Sequence, residues 1–260
     1  MRLLLTRFGA SGLKKNKLIT LIDTETGEIP FIDIVGDLGS NHYIATGITY
    51  SGNWLCMGAN SVENSKSYLL LFNFIDGTVR TILLPLSYNI FDIVSVFPGQ
   101  LYLNSEGTHS LNNISFSPDT GDLKSDTIHY KLSPHQTLFS SLCAHQMRWY
   151  GTTVDSVIEL SNNRVIHSGL TIPHSIFFNS YERICFLELN KFYCGDDLFY
   201  FNNPVSSVYE AINSAGYWLC SDNSLFLIDY NGEKVFDPVP IGDTPVFKMV
   251  EVRGCLNEAF

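Results

Sequence analysis

Three histidines stand in related local contexts: Asn41-His42-Tyr43, Pro134-His135-Gln136 and Pro173-His174-Ser175. Each precedes a strand-like run, from Ile44 to Tyr50, Thr137 to Leu142 and Ser175 to Asn179. The chain holds seven histidines, so three at one recurring place form a modest enrichment. Neutral imidazoles converging on one point bind a divalent transition metal such as Zn, Fe, Mn or Cu. A single imidazole can instead serve as general acid or base near neutral pH. A third reading is local: a histidine where a strand begins can cap the turn by hydrogen bonding. His42, His135 and His174 are thus the candidate metal ligands, and His174 and His135 the candidate acid/base groups.

Two carboxylates interrupt otherwise apolar runs, in Ile90-Phe91-Asp92-Ile93-Val94 and Ser207-Val208-Tyr209-Glu210-Ala211-Ile212. A carboxylate in such company either faces a wet channel or finds a charged partner. Asp92 and Glu210 therefore join the catalytic candidates, while a solvated structural carboxylate is the plainer alternative. Lys248, Glu251 and Arg253 are further polar candidates in a strand-like segment near the C-terminus. Several chemistries lack their motif. There is no P-loop, no Rossmann GxGxxG, no HExxH, no GxSxG elbow and no Asp-rich EF-hand loop.

The elements that must position these residues read as strands. Short runs of β-branched and aromatic residues are broken every 8–12 residues or so by Gly, Asn, Asp or Pro, and no helical period is sustained over about 12 residues. One strand type recurs: Arg2-Leu3-Leu4-Leu5, Asn53-Trp54-Leu55-Cys56, Gln100-Leu101-Tyr102-Leu103, Met147-Arg148-Trp149-Tyr150, Arg183-Ile184-Cys185-Phe186 and Tyr217-Trp218-Leu219-Cys220. The starts at 2, 53, 100, 147, 183 and 217 leave intervals the size of a four-stranded blade. Hairpin turns follow at Asp23–Glu28, Asp76-Gly77, Ser117–Asp122, Ser161–Asn163 and Tyr230–Glu233. The fifth unit offers only Asp196-Asp197 or Asn202-Asn203.

The pattern predicts an all-β chain folded as a single six-bladed β-propeller of four-stranded blades, with a β-sandwich as the alternative. The domain is expected to span 1–260, with blades near 1–36 plus 246–254, 37–87, 88–133, 134–172, 173–205 and 206–245. The first unit lacks an innermost strand and Val246–Val252 lacks a unit, so pairing these ends closes the ring and leaves no free edge.

Composition narrows the partners. The 260-residue chain is 45% hydrophobic, 16% charged and carries a formal net charge of −10. Its one basic run, Lys14-Lys15-Asn16-Lys17, reads as a solvated turn, so nucleic acid and anionic membrane are not expected as partners. Met1–Arg7 has three leucines before a charge, no small-residue cleavage site follows, and no run of about 20 apolar residues occurs; a cytoplasmic location is expected. The six cysteines form no CxxC pair, and several lie in apolar runs, which predicts buried structural thiols.

Thr46-Gly47-Ile48-Thr49-Tyr50-Ser51-Gly52-Asn53-Trp54-Leu55 resembles the GI-x-x-x-G-x-x-L blade start of the NHL and gluconolactonase-like propellers. The resemblance implies a ring with a ligand or metal in its channel. The metal-binding pattern of the gluconolactonase group, an Asn-Gly pair before a Ser-Pro-Asp-Gly turn, is not reproduced, so no catalytic residue carries over. The expected function is small-molecule binding at the channel mouth, extending to an enzyme of lyase, hydrolase or cyclase type. A non-catalytic ligand-binding or protein-interaction scaffold is the alternative.

Overall fold

Leu3, Leu4 and Leu5 are all fully buried, although a strand has two faces. Leu4 packs against Ala45, Leu55 and Met57, whereas Leu3 and Leu5 pack against Trp218, Cys220 and Leu225. Strands buried on both faces read as unbroken apolar runs. Sheets stacked radially like the blades of a turbine impose that burial on each blade's second strand.

The computed structural model describes residues 2–7, 13–14, 19–29, 42–84, 89–105, 110–131, 141–211, 216–241 and 246–252. The chain opens with β1 (Arg2–Arg7), β2 (Leu13–Lys14), β3 (Ile19–Asp23) and β4 (Gly27–Ile29). The second blade is β5 (His42–Ser51), β6 (Trp54–Ser61), β7 (Ser67–Asn73) and β8 (Val79–Leu84). The third is β9 (Ile90–Phe97), β10 (Gln100–Ser105), β11 (Ser110–Phe116) and β12 (Leu123–Lys131). The fourth is β13 (Leu142–His145), β14 (Arg148–Thr152), β15 (Ser156–Glu159) and β16 (Arg164–Ser168). The fifth is β17 (His174–Phe178), β18 (Ile184–Glu188), β19 (Lys191–Cys194) and β20 (Asp197–Tyr200). The sixth is β21 (Val205–Ala211), β22 (Gly216–Ser221), β23 (Ser224–Asp229) and β24 (Val239–Pro240). The last strand, β25 (Val246–Glu251), pairs with β1 to give the order β25-β1-β3-β4, so the first blade is built from both ends of the described chain.

The six-bladed all-β architecture and its closure by the C-terminal strand are as expected from sequence. Two details differ. The second sheet has a fifth member, because β2 adds to β5 through Leu13 and Lys14. The fourth blade's inner strand runs from Leu142 to His145, later than the Thr137–Leu142 expected, and 137–140 lie outside the described residues. It stops early because Gln146 and Met147, at φ 46° and 65°, turn the chain at once into β14.

Six apolar clusters fill the spaces between successive blades. Between the second and third, Trp54 is 1% exposed, and its indole N–H donates to the Pro118 carbonyl at 2.7 Å. The tryptophan thereby anchors the Ser117–Asp122 turn of the next blade, its polar edge satisfied. The fifth blade turns at Gly195, φ 61°, between the directly paired Cys194 and Asp197.

Candidate functional site

The innermost strands surround a cavity of about 590 Å³ on the ring axis. Every blade contributes: Ile48 from β5, Asp92 from β9, Ser141 just ahead of β13, Phe177 from β17, Val208 from β21 and Lys248 from β25. The walls are largely aliphatic and aromatic, and the polar groups are few.

Asp92 lies deepest in this polar set, 1% exposed. One carboxylate oxygen accepts from the Ile93 N–H at 2.8 Å and from Lys248 Nζ at 2.7 Å. The other accepts from the Leu142 N–H at 2.8 Å and from Ser141 Oγ at 3.3 Å. Ser141 Oγ in turn accepts from the Ile176 N–H at 3.0 Å. One network therefore joins the first, third, fourth and fifth blades around the cavity. Lys248 retains 26% side-chain exposure, so its ammonium is paired yet still faces the cavity.

His174 opens β17 and lines the same cavity. Its Nδ1 lies 3.2 Å from the Ile172 carbonyl and its Nε2 3.0 Å from the Val205 carbonyl. Burial lowers its pKa below the usual histidine value, against the smaller opposing pull of the two carbonyls. Beside it the backbone is strained: Ile172 and Ser175 adopt φ 49° and 53°, and the register with β18 shifts between His174 and Phe177. A β-branched residue in the left-handed region is an outlier, and such strain clusters at functional sites.

Glu210 also borders the cavity but belongs to its other end. It lies five residues beyond Val205 on β21, roughly 16 Å of strand at about 3.3 Å per residue. Its carboxylate accepts from the Ser180 N–H at 2.8 Å, from Ser180 Oγ at 2.7 Å and from Tyr230 at 3.2 Å. It clamps the turn after β17, and the fold does not bring it to His174.

The other candidates divide as follows. His42 begins β5 and pairs with Lys14. His135 and Arg253 lie outside the described residues. Glu251 ends β25, where its carbonyl accepts from Tyr50 Oη at 2.6 Å. Among the described residues no group of three His, Cys, Asp or Glu side chains can hold a metal ion. The described channel groups do not fit a divalent cation: both ring nitrogens of His174 face carbonyls, and Asp92 is saturated by four donors. Sequence reasoning did not single out Ser141, nor His145, which stacks on the channel-wall Phe178 with centroids 4.1 Å apart. Neither carries a motif. No helix among the described residues is long and apolar enough to cross a membrane.

No known protein family matches the chain, and no curated protein matches it. Solved structures do. A chain of the nidogen/laminin complex superposes with a TM-score of 0.71 at 11% identity, covering 95% of this chain and 97% of that one. A catalytically inactive virginiamycin B lyase from Staphylococcus aureus, solved with quinupristin, gives 0.57 at 14% identity over 92% and 85%. A luciferin-regenerating enzyme gives 0.59 at 10% identity over 78% of each chain. The likeness is one of fold: these neighbours share the six-bladed β-propeller architecture, which is consistent with the resemblance carried by Thr46–Leu55.

Proposed function

We propose that the central channel binds a small, largely apolar molecule and anchors one acceptor group of it on Lys248. The observation that carries this reading is the 590 Å³ cavity with the Asp92–Lys248 pair in its wall. That volume falls within the roughly 300–1,000 Å³ of small-molecule sites, which combine apolar walls with a few placed polar groups. Asp92 balances the ammonium, so a neutral carbonyl on the ligand can accept there without importing charge, whereas a carboxylate would share the ammonium with Asp92.

Enzymatic acid/base chemistry of lyase, hydrolase or cyclase type is a second reading. The strained Ile172–Ser175 segment beside His174 favours it, and the similar structures include proteins named as a lyase and as a luciferin-regenerating enzyme. Lys248 would donate the proton and His174 would position the ligand.

Thermal-shift and calorimetric titration with apolar carboxylic acids and their amides separates these ideas. Val208→Trp fills the channel and is expected to abolish binding of both series. Lys248→Met is expected to weaken the acids selectively, by about tenfold or more, as loss of one charge-assisted hydrogen bond implies. Unchanged binding by Val208→Trp would remove the channel from consideration. Turnover of a bound compound that stops in Lys248→Met would establish the enzymatic reading.

A further inference from the structure

Away from the channel, the fifth blade brings two cysteines together. Cys185 on β18 and Cys194 on β19 are directly opposed, and their Sγ atoms are 3.1 Å apart. The Gly195 N–H donates to the Ile184 carbonyl at 2.9 Å, so the adjoining Ile184–Gly195 position is hydrogen-bonded and Cys185–Cys194 is not. Non-hydrogen-bonded pairs hold their Cα atoms about 4.5 Å apart, inside the range of about 4.4–6.8 Å that a disulfide spans. No backbone movement is needed to join the two sulfurs.

The surroundings distinguish the two thiols. Cys194 Sγ lies 3.2 Å from Asn179 Nδ2 and 3.2 Å from Tyr217 Oη, and Asn179 Nδ2 also donates to Tyr217 Oη at 2.9 Å. Two donors, Asn179 Nδ2 and the Cys185 S–H, converge on one sulfur, and the Tyr217 hydroxyl lies within hydrogen-bond reach of it. Cys185 is fully buried and Cys194 is 4% exposed. Cys56 and Cys143 are also buried free thiols, but among the described residues no other cysteine sulfur bonds to theirs.

We propose that Cys194 and Cys185 form a redox-active dithiol, with Cys194 the attacking thiolate, Cys185 the resolving thiol and a small hydroperoxide the oxidant. The Cys194 thiolate attacks one oxygen of hydrogen peroxide; the S–O bond forms, the O–O bond breaks, and the departing hydroxide takes a proton from solvent. Cys185 Sγ then attacks the Cys194 sulfur, and the S–O bond breaks. The second hydroxide leaves with the Cys185 proton as water. Two thiols give up two electrons, and one peroxide becomes two waters. A molecule of peroxide's size suits the slight exposure of Cys194, where a bulkier disulfide oxidant does not.

The Cys185 S–H, Tyr217 and the Arg183 charge together hold the Cys194 thiol below the usual cysteine value against its burial. Burial pushes Cys56 up, and it pushes Cys143 up as well, opposed by the Lys248 charge and helped by Asp92. The thiolate form, and with it the reactivity, is therefore favoured on Cys194 over the other buried thiols.

The test is a hydrogen peroxide titration at pH 7, quenched by alkylation and read by peptide mass spectrometry. The expected product is a Cys185–Cys194 linked peptide, reversible by dithiothreitol, appearing at least about tenfold faster than oxidation of Cys56 or Cys143. In Cys185→Ser, Cys194 is expected to stop at a sulfenic acid that dimedone captures. The proposal is overturned if both peptides remain alkylated after Cys56 or Cys143 has oxidised. It is equally overturned if the two cysteines proceed separately to sulfinic acids with no linked peptide. The wild-type titration decides the matter even if the serine variant folds poorly.

Discussion

Asp92 accepts four hydrogen bonds, two of them from backbone N–H groups, yet among the described residues Lys248 is the one cation paired with it. Removing that cation leaves a buried carboxylate with its three remaining donors. Lys248→Met is therefore expected to lower stability by roughly 2 kcal/mol, less than a fully buried pair would lose because Lys248 is partly exposed. Urea unfolding of the variant measures this, and an unchanged midpoint would mean that the pair contributes nothing net. His174 supplies a pH test. Its pKa is depressed in the folded state, so the folded protein binds fewer protons than the unfolded one as pH falls through the ordinary histidine range. The stability it contributes is complete above about 6.5 and is lost as pH falls below that value toward the folded pKa. His174→Gln should flatten the loss of thermal stability between about pH 7.5 and 5.5, with the similarly depressed His167 leaving a residual slope. Asp92, Glu210 and Lys248 were legible as polar residues in apolar strands. Their partners were not: Lys248 and Asp92 are 156 residues apart and meet only when the ring closes.

Second strands and inner strands differ in how plainly sequence declares them. β6 is buried along its whole length and β22 nearly so, because neighbouring blades cover both faces. Inner strands turn one side to the cavity, so their burial is mixed, as in β17 and β25, and their apolar pattern is diluted. Bulges weaken it further, at Ala45–Ile48 in β5 and His174–Phe177 in β17. The Cys185–Cys194 pairing is hidden for a related reason: hairpin register, rather than a CxxC spacing, brings the thiols together. Gly47 shows what the blade-start motif does in physical terms. A Cβ there would lie 2.5 Å from the Ile93 backbone nitrogen, so β5 and β9 can approach this closely only at a glycine. Gly47→Ala should cost about 1–3 kcal/mol by forcing the two inner strands apart. Because Ile93 follows Asp92, the same variant should weaken the ligand binding proposed for the channel. Denaturant midpoint and titration together check this, and loss of neither would show that the strands can yield without harm.

At the scale of the whole ring, β25 supplies the first blade's inner strand, the Lys248 side of the polar network, and apolar groups to two inter-blade clusters. Val246 and Met249 pack toward the sixth blade, whereas Val250 and the following Val252 pack toward the second. At about 1.5–3 kcal/mol for each fully buried side chain, these four contribute roughly 6–12 kcal/mol. That is comparable with the about 5–15 kcal/mol that separates most folded domains from their unfolded chains. Ending the chain before Val246 should therefore do more than open the ring. It bares the β1 edge and its three leucines, a template for pairing with other chains. The truncated protein is expected to self-associate on size-exclusion chromatography and to lose its sharp thermal transition. Intact Asp92, Ser141 and His174 would not preserve the proposed binding site, because the wall opposite them has gone. A truncated monomer that unfolds cooperatively at the full-length temperature would show instead that five complete blades and a partial first blade carry the fold, and that the last strand serves the channel alone.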